Sequence, residues 1–211
     1  KYINANSSAI SGVITDGGKF KWDTEKYPGM KDFKKFGPFA YTAKLRNGLF
    51  RNTGACLSPQ NAFYNSIGME TLGLRMERVC DNAKTLAQFF ATEYSDIEVN
   101  YPGLAGSKWH DIATEQFGDK FGGIITIRTG NKKRAFGIID ALKLPLIVSN
   151  IGDTKTLVIH PESTLNVHST QEEKETAGVF DDLIRISVGI EDIEDLIDDF
   201  KQAIESVKDV Y

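Results

Sequence analysis

Apolar residues recur every three to four positions from Phe63 through Ile67, Leu74, Met76, Val79, Ala83 and Leu86 to Phe89 and Phe90. That spacing places them on one helical face. Ser58 suits an N-cap, and Pro59 suits the first helical position, where its missing N–H has no intrahelical partner to lose. The pattern predicts a helix over 58–94, long for a globular protein, so a break is expected. Gly68 and Gly73 are the candidates, since glycine weakens a helix interior by about 1 kcal/mol. A second stripe, Ile193, Leu196, Ile197, Phe200, Ile204 and Val207, predicts a C-terminal helix, with Glu191, Asp192, Glu194 and Asp195 at its electropositive start. A shorter helix is expected over 133–142. Apolar or alternating runs predict strands at 9–15, 97–101, 123–128, 146–148, 155–160 and 183–188. Residues 19–40 mix aromatics with lysines and read as a surface excursion with some short helix. Strands alternating with helices imply an α/β or α+β layered fold.

The 211 residues are enough for one large domain or two small ones, and 41% hydrophobic with 26% charged residues is an ordinary globular composition. With 25 basic and 29 acidic residues, the net charge of −4 argues against a nucleic-acid binder, and the basic clusters at 31–35 and 132–134 are short. No apolar run approaches the roughly 18 residues of a membrane span. Two cysteines do not make a disulfide framework, and a reducing compartment follows. The chain starts at Lys1 without a secretory pattern. A cytoplasmic location is therefore expected, for a chain that reads as a piece of something longer.

Little in the pattern alone announces chemistry. There is no phosphate-binding glycine loop, no dinucleotide fingerprint and no metalloprotease or serine-hydrolase motif. His110, His160 and His168 are too scattered for a metal site, and no metal is expected. The acids of 191–199 read as a solvated helix face. Arg185 stands out within Leu183-Ile184-Arg185-Ile186. Such an arginine either lies on the solvent side of its strand or reaches an anion, because an unpaired buried charge is too costly.

Four ordered stretches resemble one family. Leu183-Ile184-Arg185-Ile186-Ser187-Val188-Gly189-Ile190-Glu191-Asp192 is similar to the C-terminal motif of the Cys/Met-metabolism enzymes that use pyridoxal 5′-phosphate (PLP). Lys1-Tyr2-Ile3-Asn4 resembles the segment that begins at the family's cofactor lysine. Ser58-Pro59-Gln60-Asn61-Ala62-Phe63, then Glu70-Thr71-Leu72-Gly73-Leu74-Arg75-Met76-Glu77, resembles its interdomain helix. Ser149-Asn150-Ile151-Gly152-Asp153-Thr154-Lys155 resembles the O-acetylhomoserine sulfhydrylase branch, where the cystathionine synthases and lyases more often read Ser-Leu-Gly-Gly. The insert around 16–20 also looks like that branch. One departure is local: Ala5 and Asn6 stand where the family usually has glycine and histidine. It matters only if position 5 needs a positive φ.

The resemblance implies a PLP-dependent transferase fold of the aminotransferase type, with 1–70 ending the large PLP-binding domain and 71–211 forming a smaller C-terminal α/β sandwich that binds substrate. It implies that Lys1 carries PLP and moves protons, that Arg185 pairs with the substrate α-carboxylate, and that Ser149 touches the same carboxylate. The implied reaction converts O-acetylhomoserine and sulfide, or a sulfur-carrier protein, to homocysteine and acetate in methionine biosynthesis, in a homotetramer built from dimers. A cystathionine γ-synthase or a methionine or cystathionine γ-lyase is the alternative within the family; a C-terminal half acting only in assembly is the alternative outside catalysis. The resemblance also places the residues that hold the cofactor's phosphate, ring and pyridine nitrogen in an upstream half, without which the chain is expected to be inactive.

Overall fold

A five-stranded sheet organises the C-terminal part of the chain. The computed structural model describes residues 1–208. Its strands are β1 (Glu98–Asn100), β2 (Ile124–Arg128), β3 (Leu146–Ile147), β4 (Leu157–Ile159) and β5 (Leu183–Ser187), in the order β1-β2-β5-β4-β3. All neighbours are antiparallel except β3 and β4. Alternation sorts the two faces. Ile125 and Ile127 on β2, Ile184 and Ile186 on β5, and Val158 on β4 are fully buried on one side. Three helices supply the rest of that core: α4 (Leu72–Glu93) with Leu86 and Phe90, α6 (Lys132–Ala141) with Ile138, and α8 (Ile193–Ser206) with Leu196, Phe200 and Ile204. Arg185 pairs across the sheet with Thr126 and Ile159, so it points away from this core.

The expected long helix is two. Helix α3 (Pro59–Glu70) begins where Ser58 Oγ accepts from the Asn61 amide (3.2 Å), and α4 starts after a turn at Thr71. The break falls between the two glycines rather than at either. Gly68 has another use, because a Cβ there would collide with the backbone of Ile3 and Asn4. The remaining strands and the helix expected at 133–142 form near their expected ends. Short helices lie where no element is expected: the turns over 40–53, α5 (His110–Phe117), with one buried residue, Ala113, and α7 (Gln171–Thr176), closed by a Thr170–Glu173 capping box. Helices this short carry too little periodicity to be read from the chain.

Two expectations fail. Residues 9–15 form no strand; Ile10, Val13 and Ile14 are 88%, 74% and 69% exposed, and no described strand pairs with them. Strand geometry needs a ladder partner for its amides and carbonyls, which local sequence cannot provide. The acids of 191–199 are not simply a solvated face either. Asp199 is buried and accepts from the Lys143 and Leu144 amides, and Glu191 accepts from the Thr156 amide and hydroxyl.

The chain separates into two compact units, Ala9–Asn65 and a body made of Lys1–Ser8 with the chain from residue 66 onward. The smaller unit holds a run of 3-10 turns (Pro28–Phe39) and helical turns at α1 (Ala40–Lys44), Leu45–Phe50 and α2 (Arg51–Thr53). Trp22 stacks on Tyr41 and meets Phe20 and Tyr27 edge to face in one aromatic cluster within it. No helix among the described residues is long and apolar enough to cross a membrane.

Candidate active site

Residues 1–8 belong to the larger unit, and three side chains hold them in place. Arg75, in the first turn of α4, is buried and donates to the carbonyls of Tyr2 (2.7 Å), Ile3 (3.3 Å) and Gly68 (2.7 Å), while its Nε donates to Thr71 Oγ1 (3.1 Å). Every acceptor is neutral, and burial pulls its pKa below the usual arginine value. Tyr2 is the second anchor. Burial pushes its phenol up, with Cys80 adding to the effect, while hydrogen bonds to the Gly123 backbone and the Ser187 side chain oppose it. The Tyr2 ring lies against Gly152, which has φ +76° and where a Cβ would sit 3.1 Å from ring and backbone atoms of Tyr2. Ser187 Oγ accepts the Gly152 amide (3.0 Å), so Ser187 joins the end of β5 to both partners.

With its neighbour pinned, Lys1 leaves its amine exposed, and Nζ donates to Asn150 Oδ1 at 2.6 Å. Asn150 Nδ2 donates to Ser7 Oγ (2.6 Å), and Ser7 donates to Asp153 Oδ2 (2.9 Å). Burial alone would push the Asp153 carboxyl up, but the Lys155 amide, the Ser7 hydroxyl and the Lys155 charge bring it below its ordinary range. Arg185 approaches the same asparagine from the sheet, and its Nη2 donates to the Asn150 carbonyl at 3.4 Å. Among the described residues that is its single side-chain hydrogen bond, so most of its five N–H donors remain open. Burial lowers its pKa as well. Ser149 is exposed, one residue before this junction.

The structure thus brings Lys1 and Arg185 to one asparagine, with Ser149 beside it. His160 has structural partners: the ring is buried, bonded to Ser163 Oγ and the Asp181 carbonyl and packed on Phe136, while Thr164 donates to its carbonyl. Ala5 does have the positive φ that glycine accepts without strain, +72°, and Ser7 has +60°. Tyr2, Arg75 and Asn150 all lie inside the stretches that carry the family resemblance, yet no local pattern gives them a role. Their partners are distant in the chain, 149 residues apart for Lys1 and Asn150.

An exposed amine can hold a carbonyl compound, and a half-buried guanidinium with open donors can hold a carboxylate. Comparisons with known proteins identify the family. The model of the Cys/Met metabolism PLP-dependent enzyme family matches residues 1–205. The chain is 37% identical to an O-acetyl-L-homoserine sulfhydrylase of Thermus thermophilus, over 97% of this chain and 51% of that protein. Among solved structures, an O-acetylhomoserine sulfhydrylase of Wolinella succinogenes superposes with a TM-score of 0.71 at 36% identity, covering 89% of this chain and 50% of that one. A Campylobacter jejuni structure containing N′-pyridoxyl-lysine-5′-monophosphate gives 0.73 at 38%, covering 78% and 39%. The chain spans about half the length of the curated relatives it matches. It belongs to the Cys/Met metabolism PLP-dependent enzymes.

Proposed function

We propose that the complete protein is an O-acetylhomoserine sulfhydrylase that uses PLP to exchange the acetate of O-acetylhomoserine for sulfide, releasing homocysteine. The observation that carries this is the meeting of the Lys1 amine and the Arg185 guanidinium on Asn150. The residues present fit the attachment end of a PLP site: the amine is exposed and bonded to a neutral oxygen, with no carboxylate within ion-pair distance among the described residues. When bound, the cofactor supplies the electron sink that lets protons leave Cα and Cβ and acetate leave Cγ. Lys1 would hold it and, once released by the substrate amine, carry protons to and from Cα. Arg185 would bind the α-carboxylate through two parallel N–H bonds, which a guanidinium makes and an ammonium does not. Ser149 would add its hydroxyl or amide to the same carboxylate.

In this reading, residues 1–70 end the PLP-binding domain, 71–211 bind substrate, and partner groups for the phosphate, ring and pyridine nitrogen come from a further part of the protein. The enzyme works in the cytoplasm as a homotetramer built from dimers and takes sulfide or a carrier-bound thiol. Assay of the full-length protein with O-acetylhomoserine tests this. Homocysteine formed with sulfide supports it; cystathionine formed with cysteine, or 2-oxobutanoate formed without a nucleophile, would transfer the protein to another branch. Lys1→Ala in that protein is expected to abolish turnover, and retention of even a tenth of kcat would remove Lys1 from the mechanism.

A further inference from the structure

Asn150 occupies a position that the proposed reaction has not yet used. Lys1 can only donate through its ammonium, so the atom facing it must be the amide oxygen. On the other side, the Ser7 proton is committed to Asp153, so the Ser7 oxygen accepts from Asn150 Nδ2. The amide orientation is therefore set from both ends. The chain runs Asn150 to Ser7 to Asp153, and the Asp153 carboxylate polarises it. Donation through Nδ2 makes Oδ1 a better acceptor for the amine. Meanwhile the Asn150 backbone carbonyl meets Arg185. One residue thus ties the reacting amine to the guanidinium proposed to bind carboxylate, through an acceptor without charge.

We infer that Asn150 is a positioning residue for the Lys1 amine: its Oδ1 orients the amine for proton transfer without locking it in the charged form. The inference rests on the sulfhydrylase reading. A carboxylate in the same place would also orient the amine, but it would favour the protonated form and hold the proton back. The charged groups around the amine are Asp153, reached through Ser7, Lys155 beyond it, and Arg185 on the sheet side.

The test uses full-length, PLP-loaded protein and two variants that keep the backbone carbonyl for Arg185. In Asn150→Asp, the pH midpoint of the pyridoxal absorption band is expected to rise by about one unit, and kcat at neutral pH to fall about tenfold. In Asn150→Leu, kcat is expected to fall at least tenfold while KM changes less than about threefold, the mark of a lost transition-state interaction. A midpoint unmoved in Asn150→Asp, or kcat within about twofold of wild type in Asn150→Leu, overturns the inference. If that happens while the wild type shows a normal band and makes homocysteine, the sulfhydrylase reading stands without it. A wild-type protein with no such band overturns both.

Discussion

Arg75 and Arg185 are both drawn partly out of water, and burial lowers the pKa of both. Their surroundings then diverge. Arg75 spends its donors on three backbone carbonyls and a threonine hydroxyl and is closed off. Arg185 lies half-buried on the face of β5 turned away from the core, with one long bond to a carbonyl. A guanidinium with four of its five donors spent on fixed neutral acceptors has little left for a ligand and acts as an anchor. One with open donors in a partly dry setting has desolvation to recover, and a carboxylate restores it. The anchor and the receptor are chemically the same group; acceptor count separates them.

The sharpest way to break that contrast is Arg185→Ala in the full-length enzyme. Losing a charge-assisted carboxylate pair costs about 2–5 kcal/mol, or roughly 30-fold to several-thousand-fold in kcat/KM. Stability should change by under about 0.5 kcal/mol, and Arg185→Lys should recover only part of the activity. A loss in kcat/KM below about threefold would make Arg185 a surface residue.

Arg75→Met should do the reverse and act first on stability. It leaves the Tyr2, Ile3 and Gly68 carbonyls short of a donor, at about 2–3 kcal/mol by denaturant unfolding of the whole protein. A cost under about 0.5 kcal/mol would mean that Tyr2 and Gly152 suffice to hold the segment.

Smaller again is Ala5→Gly, in the segment that Arg75 anchors. The left-handed backbone at Ala5 costs an alanine about 1 kcal/mol, part of which glycine returns as entropy lost on folding. A gain of about 0.5 kcal/mol in unfolding free energy is expected, and a loss would mean that the Ala5 methyl packs usefully.

The last comparison is with a group whose partners are charged. Glu162 accepts from Lys174 (2.6 Å) and Lys132 (2.8 Å), and those hydrogen bonds hold its carboxyl down to about 2, from an ordinary 4.5. A depressed folded-state pKa contributes stability that is complete above 4.5 and lost as pH falls through about 2. Because Lys132 is open to water, about 1 kcal/mol is expected. Glu162→Gln should therefore lower stability at neutral pH and converge with wild type in strong acid. The contributions of Arg75 and Arg185, made to neutral oxygens, should stay flat over the same acid range.

Much of the layered body was legible in the chain. Helices α4, α6 and α8 and strands β2 and β5 follow from three-to-four and two-residue spacings, because each buries one face on a shared core. Arg185 was legible as an exception to that alternation. The motif resemblance picked out Lys1 and Ser149, which residue chemistry alone would not have done. The 9–15 run misled because β-branched residues describe a strand's preference and not its partner. The acids of the last helix misled because composition does not distinguish Asp199, capping the 143–144 turn, from its solvated neighbours.

By itself the sequence determined where the chain can be helical or extended, which faces are apolar, and that an arginine interrupts β5, since those properties depend on neighbours two to four residues away. Only the tertiary structure decided that the break between α3 and α4 brings Arg75 under Tyr2, that Gly68 lets residues 3 and 4 pass close by, and that Asn150 stands between Lys1 and Arg185. Hydrogen bonds of that kind join groups far apart along the chain. They form only after the sheet order and the close approaches at glycine have fixed which loops meet.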